Sequence, residues 1–564
     1  MKFKDFKYER PNLDQLKEIN DKTIKFIKDK NEDPKEVIKA VYNKLKIDDL
    51  TESMISLVSI RNSIDTIDEF YEKEMEYWDN NTPILQALSN EFNEAMLTSP
   101  HRKELEGEFG SLVFSMFEQT KKTFSEAIIP FLQKENKLST EYSKLIASAK
   151  IEFDGQIYNL SQMSPFIQNV DRDIRKRADS ARNKFFMDNE AEFDRIYDEL
   201  VKVRHEMAIT LGYKNYIELG YDRLGRLDYD KNDVRRYREQ IFEDVVPAVC
   251  ELEKRKANRL RISNPQHYDI VLEFLSGNPT PKGDREWMVD RASKMYHEMS
   301  NETGEFIDFM IDKEVLDLDS KPNKTGGGYC SYIAEHKTPF IFANFNGTSH
   351  DVDVLTHEAG HAFQVYQSRD LLNYYRWPTM EAAEIHSMSM EFFAWPWINL
   401  FFMEDTTKYK YTHLAGALTF LPYGVTVDEF QHFIYENPAI TSEERKKAWR
   451  EIERKYMPYK IYDEDPFLEK GTWWYRQGHI FSSPFYYIDY TLAQVCAFQY
   501  WIKDHEDHEK AWNNYLGLCK LGGSKSFVEL ITSVGLDNPF KKGTLKKIIK
   551  PLQDFLGTID DSKL

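Results

Sequence analysis

Residues 354–363 read VLTHEAGHAF and contain the pattern H-E-x-x-H, formed by His357, Glu358 and His361. On an α-helix, residues four apart lie on one face, so both imidazoles can reach one zinc ion at about 2.0–2.1 Å. Glu358 then lies about 100° around the helix, close enough to act as general base on a water that the metal activates. The pattern therefore predicts a hydrolytic metal site on a helix.

The residues around this pattern suit a helix. Thr348 and Ser349 are good N-cap residues, and Asp351 and Asp353 suit a first turn. Gly360 costs about 1 kcal/mol relative to alanine within a helix, so a glycine here indicates a segment packed closely against it. The alternative is an ordinary buried helix face. Chance would supply the pattern only ~0.03 times in a chain of this composition, counting its positions as independent draws.

A catalytic zinc usually takes three protein ligands and keeps one position open. The third ligand should come from MEAAEIHSMSMEFF (380–393), and we favour Glu384, 27 residues after the first histidine. Glu391 lies on the same helix face, where it can orient a ligand imidazole from behind. A solvated surface acid is the alternative for Glu391. Two weaker candidates lie on other faces of this helix, Glu381 and His386.

An aromatic segment follows at 473–501, WWYRQGHIFSSPFYYIDYTLAQVCAFQYW. His479 precedes Tyr486, Tyr487 and Tyr490, and neutral N–H and O–H donors stabilise an oxyanion well in a dry cleft. Tyr487 and Tyr490 are three apart, so both can face the metal from a helix. The alternative is a packed aromatic core. Beside a metal motif, we favour the catalytic interpretation.

The best β-strand candidate lies directly before the motif, at TGGGYCSYIAEHKTPFIFANFNG (325–347). Its glycines and two short runs of Tyr, Phe and Ile predict a β-hairpin. A strand edge beside a catalytic helix can hold an extended peptide by main-chain hydrogen bonds.

The rest of the chain is predicted to be helical, with a loop at SGNPTPKGD (276–284) and no fixed-period repeat. Apolar residues three and four apart mark helices in the following ranges: 12–30, 34–46, 50–80, 83–98, 103–149, 190–212 and 285–313.

Composition narrows the possible partners and location. The chain has 564 residues and a net charge of −19, which argues against nucleic acid as the main partner. The most apolar run, 392–403, is too short to cross a bilayer. Four scattered cysteines and an N-terminus without a signal-peptide core predict a cytoplasmic protein without a membrane partner. Oligomeric state cannot be read from these features.

Four stretches resemble the oligoendopeptidase F group of thimet-oligopeptidase-like zinc metallopeptidases, which includes the Pz-peptidases. They are HEAGHAF (357–363), AAEIHSMSMEFF (382–393), GHIFSSPFYYIDY (478–490) and LGGSKSFVELITSVGLDNPF (521–540). The resemblance implies a mainly α, two-lobed fold with a deep central channel and a small β-hairpin beside the active-site helix. We expect an N-terminal lobe at 1–200 and a catalytic lobe at 201–564, with the lobes intertwined.

The resemblance also implies one zinc ion per chain and cleavage of short oligopeptides at internal bonds. By position, His357, His361 and Glu384 match the metal ligands, and Glu358 matches the base. The family's carbonyl- and oxyanion-binding positions correspond to His479, Tyr487 and Tyr490. The spacing from His479 to Tyr490 is one residue shorter than in the thimet-type branch, which leaves Tyr486 open beside Tyr487. Positions matching the cleft-lining hairpin are Gly327, Gly328 and Tyr329.

Two other functions fit the same sequence. A metallocarboxypeptidase would need a cation for the substrate's terminal carboxylate, and Arg476 is the candidate. The third hypothesis is a non-catalytic peptide-binding protein, but the intact Glu358 argues against it.

Overall fold

The computed structural model describes residues 1–564, most of which are helical. The helices before residue 313 are α1 (Leu13–Lys28), α2 (Pro34–Ile64), α3 (Glu69–Thr98), α4 (Arg102–Phe109), α5 (Ser111–Thr123), α6 (Ile129–Ala147), α7 (Ser164–Ile167), α8 (Arg172–Asp188), α9 (Glu190–Thr210), α10 (Tyr216–Arg223), α11 (Lys231–Gln240), α12 (Val246–Arg259), α13 (Arg285–Met299) and α14 (Asn301–Asp312).

The second set of helices carries the sequence motifs. These helices are α15 (His350–Ser368), α16 (Asn373–Arg376), α17 (Met380–Phe393), α18 (Asn399–Phe402), α19 (Thr406–Glu436), α20 (Ser442–Tyr456), α21 (Pro466–Glu469), α22 (Gly478–Ser482), α23 (Tyr487–Glu506), α24 (His508–Leu521), α25 (Phe527–Ser533) and α26 (Thr544–Thr558). None of the helices combines the length and apolar character that a membrane crossing needs.

Several helix boundaries differ from the prediction: α2 ends at Ile64 within the predicted helix 50–80, α3 runs without a break through 81–82, and α13 and α14 divide the predicted helix 285–313. α2 runs without a break through 47–49, where Lys44 and Asp48 form an ion pair one turn apart (Nζ to Oδ2, 2.7 Å). The predicted helix 103–149 is instead three helices. Gly110 ends α4 with φ 87°, a backbone conformation that glycine adopts without strain, and Pro130 lies in the first turn of α6.

The predicted hairpin is present, and a third strand joins it. The strands are β1 (Ile151–Phe153), β2 (Gln156–Tyr158), β3 (Leu316–Asp319), β4 (Tyr329–Ile333) and β5 (Thr338–Phe345). β4 pairs with β5 antiparallel, and β3 pairs with β5 parallel, so β4 lies at one edge of the sheet. β1 and β2 form a separate hairpin, whose turn residues Asp154 and Gly155 both have positive φ. Asp-Gly between alternating residues is a recognised hairpin signal, but the sequence analysis did not predict this hairpin.

The molecule contains three hydrophobic cores. α1 to α5 enclose a core of 12 buried residues, a larger core of 108 buried residues spans most of the rest, and a small core of 5 buried residues lies around β1, α7 and α8. α2 contributes buried residues to the two larger cores. The division at residue 200 stays a prediction, and this residue lies within α9.

The segment between α15 and α17 packs into the N-terminal core. Leu372, Tyr374 and Tyr375 lie against its buried residues, and the Tyr375 hydroxyl donates to the Phe109 carbonyl at 2.8 Å. The Arg376 guanidinium forms two hydrogen bonds to Asp49 of α2, at 2.8 and 2.9 Å. The segment that links the H-E-x-x-H helix α15 to the Glu384 helix α17 is therefore anchored on the N-terminal core.

α17 packs against both α15 and α23, and it is buried along almost its whole length. Gly360 makes the crossing with α15 possible, as the sequence predicted. A Cβ at this position would lie 2.6 Å from the His386 carbonyl oxygen and 2.6 Å from the Ser387 Cα. One predicted detail is wrong: Ser349 makes no side-chain cap, and Asp351 instead accepts from the backbone N–H groups of the preceding loop.

Candidate active site

α15 and α17 bring three predicted ligand atoms together. The Nε2 atoms of His357 and His361 each lie 3.2 Å from Glu384 Oε2. All three ligand atoms lie within 4.8 Å of one another. Donor atoms on a tetrahedral zinc with bonds of ~2.0 Å stand about 3.3 Å apart, so this arrangement fits such an ion.

Behind His357 lies a chain of hydrogen bonds that fixes its orientation. Trp395 Nε1–H donates to His413 Nδ1 at 3.1 Å, so the proton of His413 lies on Nε2, which donates to Glu391 Oε2 at 2.7 Å. The other Glu391 oxygen accepts from His357 Nδ1–H at 2.7 Å, which turns the His357 Nε2 lone pair towards Glu384. Glu391 is therefore not a solvated surface acid. The sequence reading missed His413, because nothing local marks it.

The charge of Glu391 is stabilised where it lies. Burial raises the pKa of the Glu391 carboxyl, but hydrogen bonds from His357 and His413 outweigh this and hold it at about 2. The group is thus a carboxylate that accepts from both imidazoles.

Glu358 lies beside the histidines with a free oxygen. Its side chain is buried, and Oε2 has no hydrogen-bond partner in the protein. Burial raises the pKa of the Glu358 carboxyl, and the neighbouring histidines oppose that shift. A Cβ at Gly328 would lie 3.3 Å from Glu358 Oε1, so the glycine loop closes over this carboxylate. The position suits a group that exchanges a proton with a small molecule.

The tyrosines separate into different roles. The Tyr486 hydroxyl donates to Glu384 Oε1, while Ser387 Oγ donates to Oε2 at 2.9 Å. The Tyr490 hydroxyl lies 3.1 Å from His479 Nε2. Tyr487 packs its ring against Phe420 and Tyr423 instead.

Phe485 sets the direction of these tyrosines. It has φ 67°, which is unfavourable for a residue with a side chain. Its backbone N–H donates to Gln431 Oε1 at 2.9 Å, and its carbonyl accepts from Arg226 Nη2 at 2.6 Å. Arg226 also donates to Asp489 Oδ1 at 2.6 Å, so one buried guanidinium ties the turn to α23.

A cavity of about 450 Å³ opens onto the metal-ligand cluster. Seven predicted site residues line it: Gly328, His357, Glu358, Glu391, His479, Tyr487 and Tyr490. Gly327 is exposed just outside the cavity, and Tyr329 stacks on Phe342 with ring centroids 4.7 Å apart. The hairpin therefore contributes mainly through Gly328.

The two weaker ligand candidates, Glu381 and His386, are not part of the cluster of His357, His361 and Glu384. Glu381 is buried near Arg226, whose charge acts on its carboxyl, and His386 is buried with neither ring nitrogen partnered.

A second grouping of acids and a histidine does not suit a cation. Asp179, His267 and Asp465 offer atoms within 4.8 Å of one another. The Asn183 amide nitrogen already donates to both carboxylates, at 2.8 and 2.9 Å, and His267 Nε2–H donates to Asp179 at 2.7 Å. Arg476 Nη2 fixes that amide by donating to Asn183 Oδ1 at 3.0 Å. Arg476, the predicted clamp for a substrate carboxylate in a carboxypeptidase, does not line the cavity.

Fold and site together define the class of helical H-E-x-x-H peptidases. The Peptidase M3 N-terminal domain matches residues 3–124, and Peptidase family M3 matches residues 283–549. The chain belongs to peptidase family M3 and is an endopeptidase by that membership. The predicted family and fold class are confirmed.

Solved structures resemble the whole chain. A Pz peptidase A with an inhibitor is 50% identical, with a TM-score of 0.98 over 100% of both chains. A putative oligoendopeptidase F from Bacillus anthracis is 48% identical, with a TM-score of 0.94 over 100% of this chain and 99% of that one. The oligoendopeptidase F homolog of Borreliella burgdorferi is 25% identical over 450 residues, covering 76% of this chain and 74% of that protein.

Proposed function

We propose that this protein is a zinc-dependent endopeptidase that hydrolyses internal bonds of short oligopeptides. The observation that carries the proposal is the convergence of His357, His361 and Glu384, with the buried Glu358 carboxylate beside them. Bound there, one zinc ion would supply Lewis acidity to the scissile carbonyl and lower the pKa of a water molecule.

Glu358 is the proposed general base. Its unpartnered oxygen accepts the proton of the attacking water, and the resulting carboxylic acid then donates that proton to the leaving amine. Burial supports this role, because it brings the carboxyl pKa closer to neutrality.

His479 and Tyr490 are the proposed oxyanion donors. Burial lowers the pKa of His479 to about 4, so the ring is neutral at neutral pH and presents an N–H. Burial keeps the pKa of the Tyr490 hydroxyl well above its usual range, so this group retains its proton. Such donors act strongly where water is excluded. Tyr486, whose hydroxyl donates to Glu384, is proposed to hold that ligand rather than the oxyanion.

Two features support peptides as substrates. β4 is an edge strand beside α15, and an edge can bind an extended chain through its main-chain groups. A further cavity of about 470 Å³ lies between the lobes, lined mostly by polar side chains such as those of Ser59, Asn62, Ser139 and Ser482. We propose that these surfaces hold the peptide on either side of the cleaved bond. Four free cysteines support the proposed cytoplasmic location.

Mass spectrometry of products from a mixed peptide pool tests this proposal. Zinc-loaded protein should cut internal bonds, including those of C-terminally amidated peptides, and a chelator should abolish cleavage. Glu358→Gln should retain zinc and lose turnover, while Glu251→Gln on the exposed face of α12 should behave as wild type. Full activity of Glu358→Gln would refute the assignment of the base. Failure to cut amidated peptides would favour a carboxypeptidase.

A further inference from the structure

A chain of hydrogen bonds runs from the interior to the tip of His479. The Tyr423 hydroxyl donates to Gln477 Oε1 at 2.8 Å. Gln477 Nε2 lies 2.8 Å from His479 Nδ1, and His479 Nε2 lies 3.1 Å from the Tyr490 hydroxyl. Gln477, His479 and Tyr490 all line the cavity.

The donors and acceptors along this chain of hydrogen bonds follow one order. Burial raises the pKa of Tyr423, so its hydroxyl keeps the proton and donates it to the amide oxygen of Gln477. The amide oxygen of Gln477 faces Tyr423, and its NH₂ group faces His479. An amide nitrogen only donates, so His479 Nδ1 must accept, and the ring proton must lie on Nε2.

We propose that Gln477, held by Tyr423, is a positioning residue that fixes the Nε2–H tautomer of His479. This inference rests on the proposed peptidase function, in which Nε2–H faces the developing oxyanion. The opposite tautomer would present a lone pair there, which repels negative charge. Loss of one oxyanion donor lowers kcat by roughly 10²–10³-fold in other hydrolases.

Ring-labelled ¹⁵N-histidine NMR of the zinc-loaded protein reports the tautomer directly, without substrate. The signal absent from a His479→Gln variant assigns the residue. We expect a protonated Nε2 and an unprotonated Nδ1 in the wild type. A protonated Nδ1 overturns the inference and leaves the peptidase proposal standing. An inactive wild type with Nε2–H refutes the peptidase proposal and leaves the tautomer assignment standing.

Gln477→Glu supplies the matched perturbation. The introduced carboxylate only accepts, so it draws the ring proton to Nδ1 once the imidazole is neutral. We expect kcat to fall by about 10²–10³-fold at pH 8–9, with KM changed only a few-fold. Towards lower pH, kcat should partly recover as the imidazolium carries both protons. A merely structural role would not produce that pH dependence.

Two further variants complete the test. Gln494→Glu places the same charge in the wall of the same cavity without touching His479, so the His479 signals should not change. Tyr423→Phe frees the Gln477 amide to rotate and should give mixed tautomers with an intermediate loss of kcat. Wild-type tautomer and kcat in both Gln477→Glu and Tyr423→Phe would overturn the inference.

Discussion

Gly360→Ala tests whether the contact between α15 and α17 builds the metal site. The added Cβ would lie 2.6 Å from two backbone atoms of α17, and ordinary contact begins at 3.4 Å, so the helices must separate by about 0.8 Å. Overpacking of this kind costs about 1–3 kcal/mol. Alanine returns about 1 kcal/mol through its helix propensity, so the expected net loss of stability is about 0–2 kcal/mol.

Gly517→Ala is the matched control, because this glycine lies exposed within α24 with no atom within 4 Å of an added Cβ. It should gain up to about 1 kcal/mol. Thermal unfolding at one scan rate compares the two variants, and competition with a chromophoric chelator measures their zinc affinity. Gly360→Ala should melt a few degrees lower than Gly517→Ala and bind zinc more weakly than Gly517→Ala, because Glu384 moves away from the histidines. Equal stability of the two variants would refute the reasoning.

Three further predictions concern the residues around the candidate metal site. Glu391→Gln removes the charged acceptor behind His357 and should weaken zinc affinity about 10–100-fold in the same chelator competition, and an unchanged affinity would contradict the orienting role. Tyr486→Phe should lower zinc affinity and kcat, because the Tyr486 hydroxyl donates to Glu384. Tyr487→Phe should change both by less than about 2-fold, because the Tyr487 ring packs against Phe420 and Tyr423 and that packing is kept. The reverse order would exchange their roles. The pKa of His479 is about 4 in the folded protein, below its value of about 6.5 in the unfolded chain. The unfolded chain therefore takes up the proton first, and stability falls as the pH drops from 6.5 to 4. Denaturant unfolding at pH 7 and pH 5 should show a smaller fall in stability for His479→Gln than for the wild type.

Local chemistry made part of the site predictable. H-E-x-x-H needs only helical periodicity to place two imidazoles together, and Gly360 signalled a close crossing. Glu384 was favoured by its spacing of 27 residues after His357 and by the family resemblance, and Glu391 followed from sharing the same helix face. Each of these inferences spans a few residues of known geometry.

Other features depend on contacts that no local pattern encodes. Tyr486 reaches Glu384 because Phe485 takes a left-handed backbone conformation, which two distant residues stabilise. Helical spacing and the family resemblance favoured Tyr487, which lines the cavity and packs its ring against Phe420 and Tyr423. β3 was missed because its parallel partner β5 begins only at Thr338, with β4 between them in the sequence. His413 approaches Glu391 only through tertiary packing of α19.

The path of the chain between α15 and α17 bears on whether the catalytic part can keep its structure without the N-terminal helices. Leu372, Tyr374 and Tyr375 lie on the core of α1 to α5, and Arg376 pairs with Asp49. A fragment starting after α5 would expose these apolar residues and leave Arg376 unpaired, at the point that sets the separation of the histidines from Glu384. The N-terminal helices are thus part of the scaffold of the metal site. We expect an exchange of the N-terminal helices between relatives to require matched residues at these contacts.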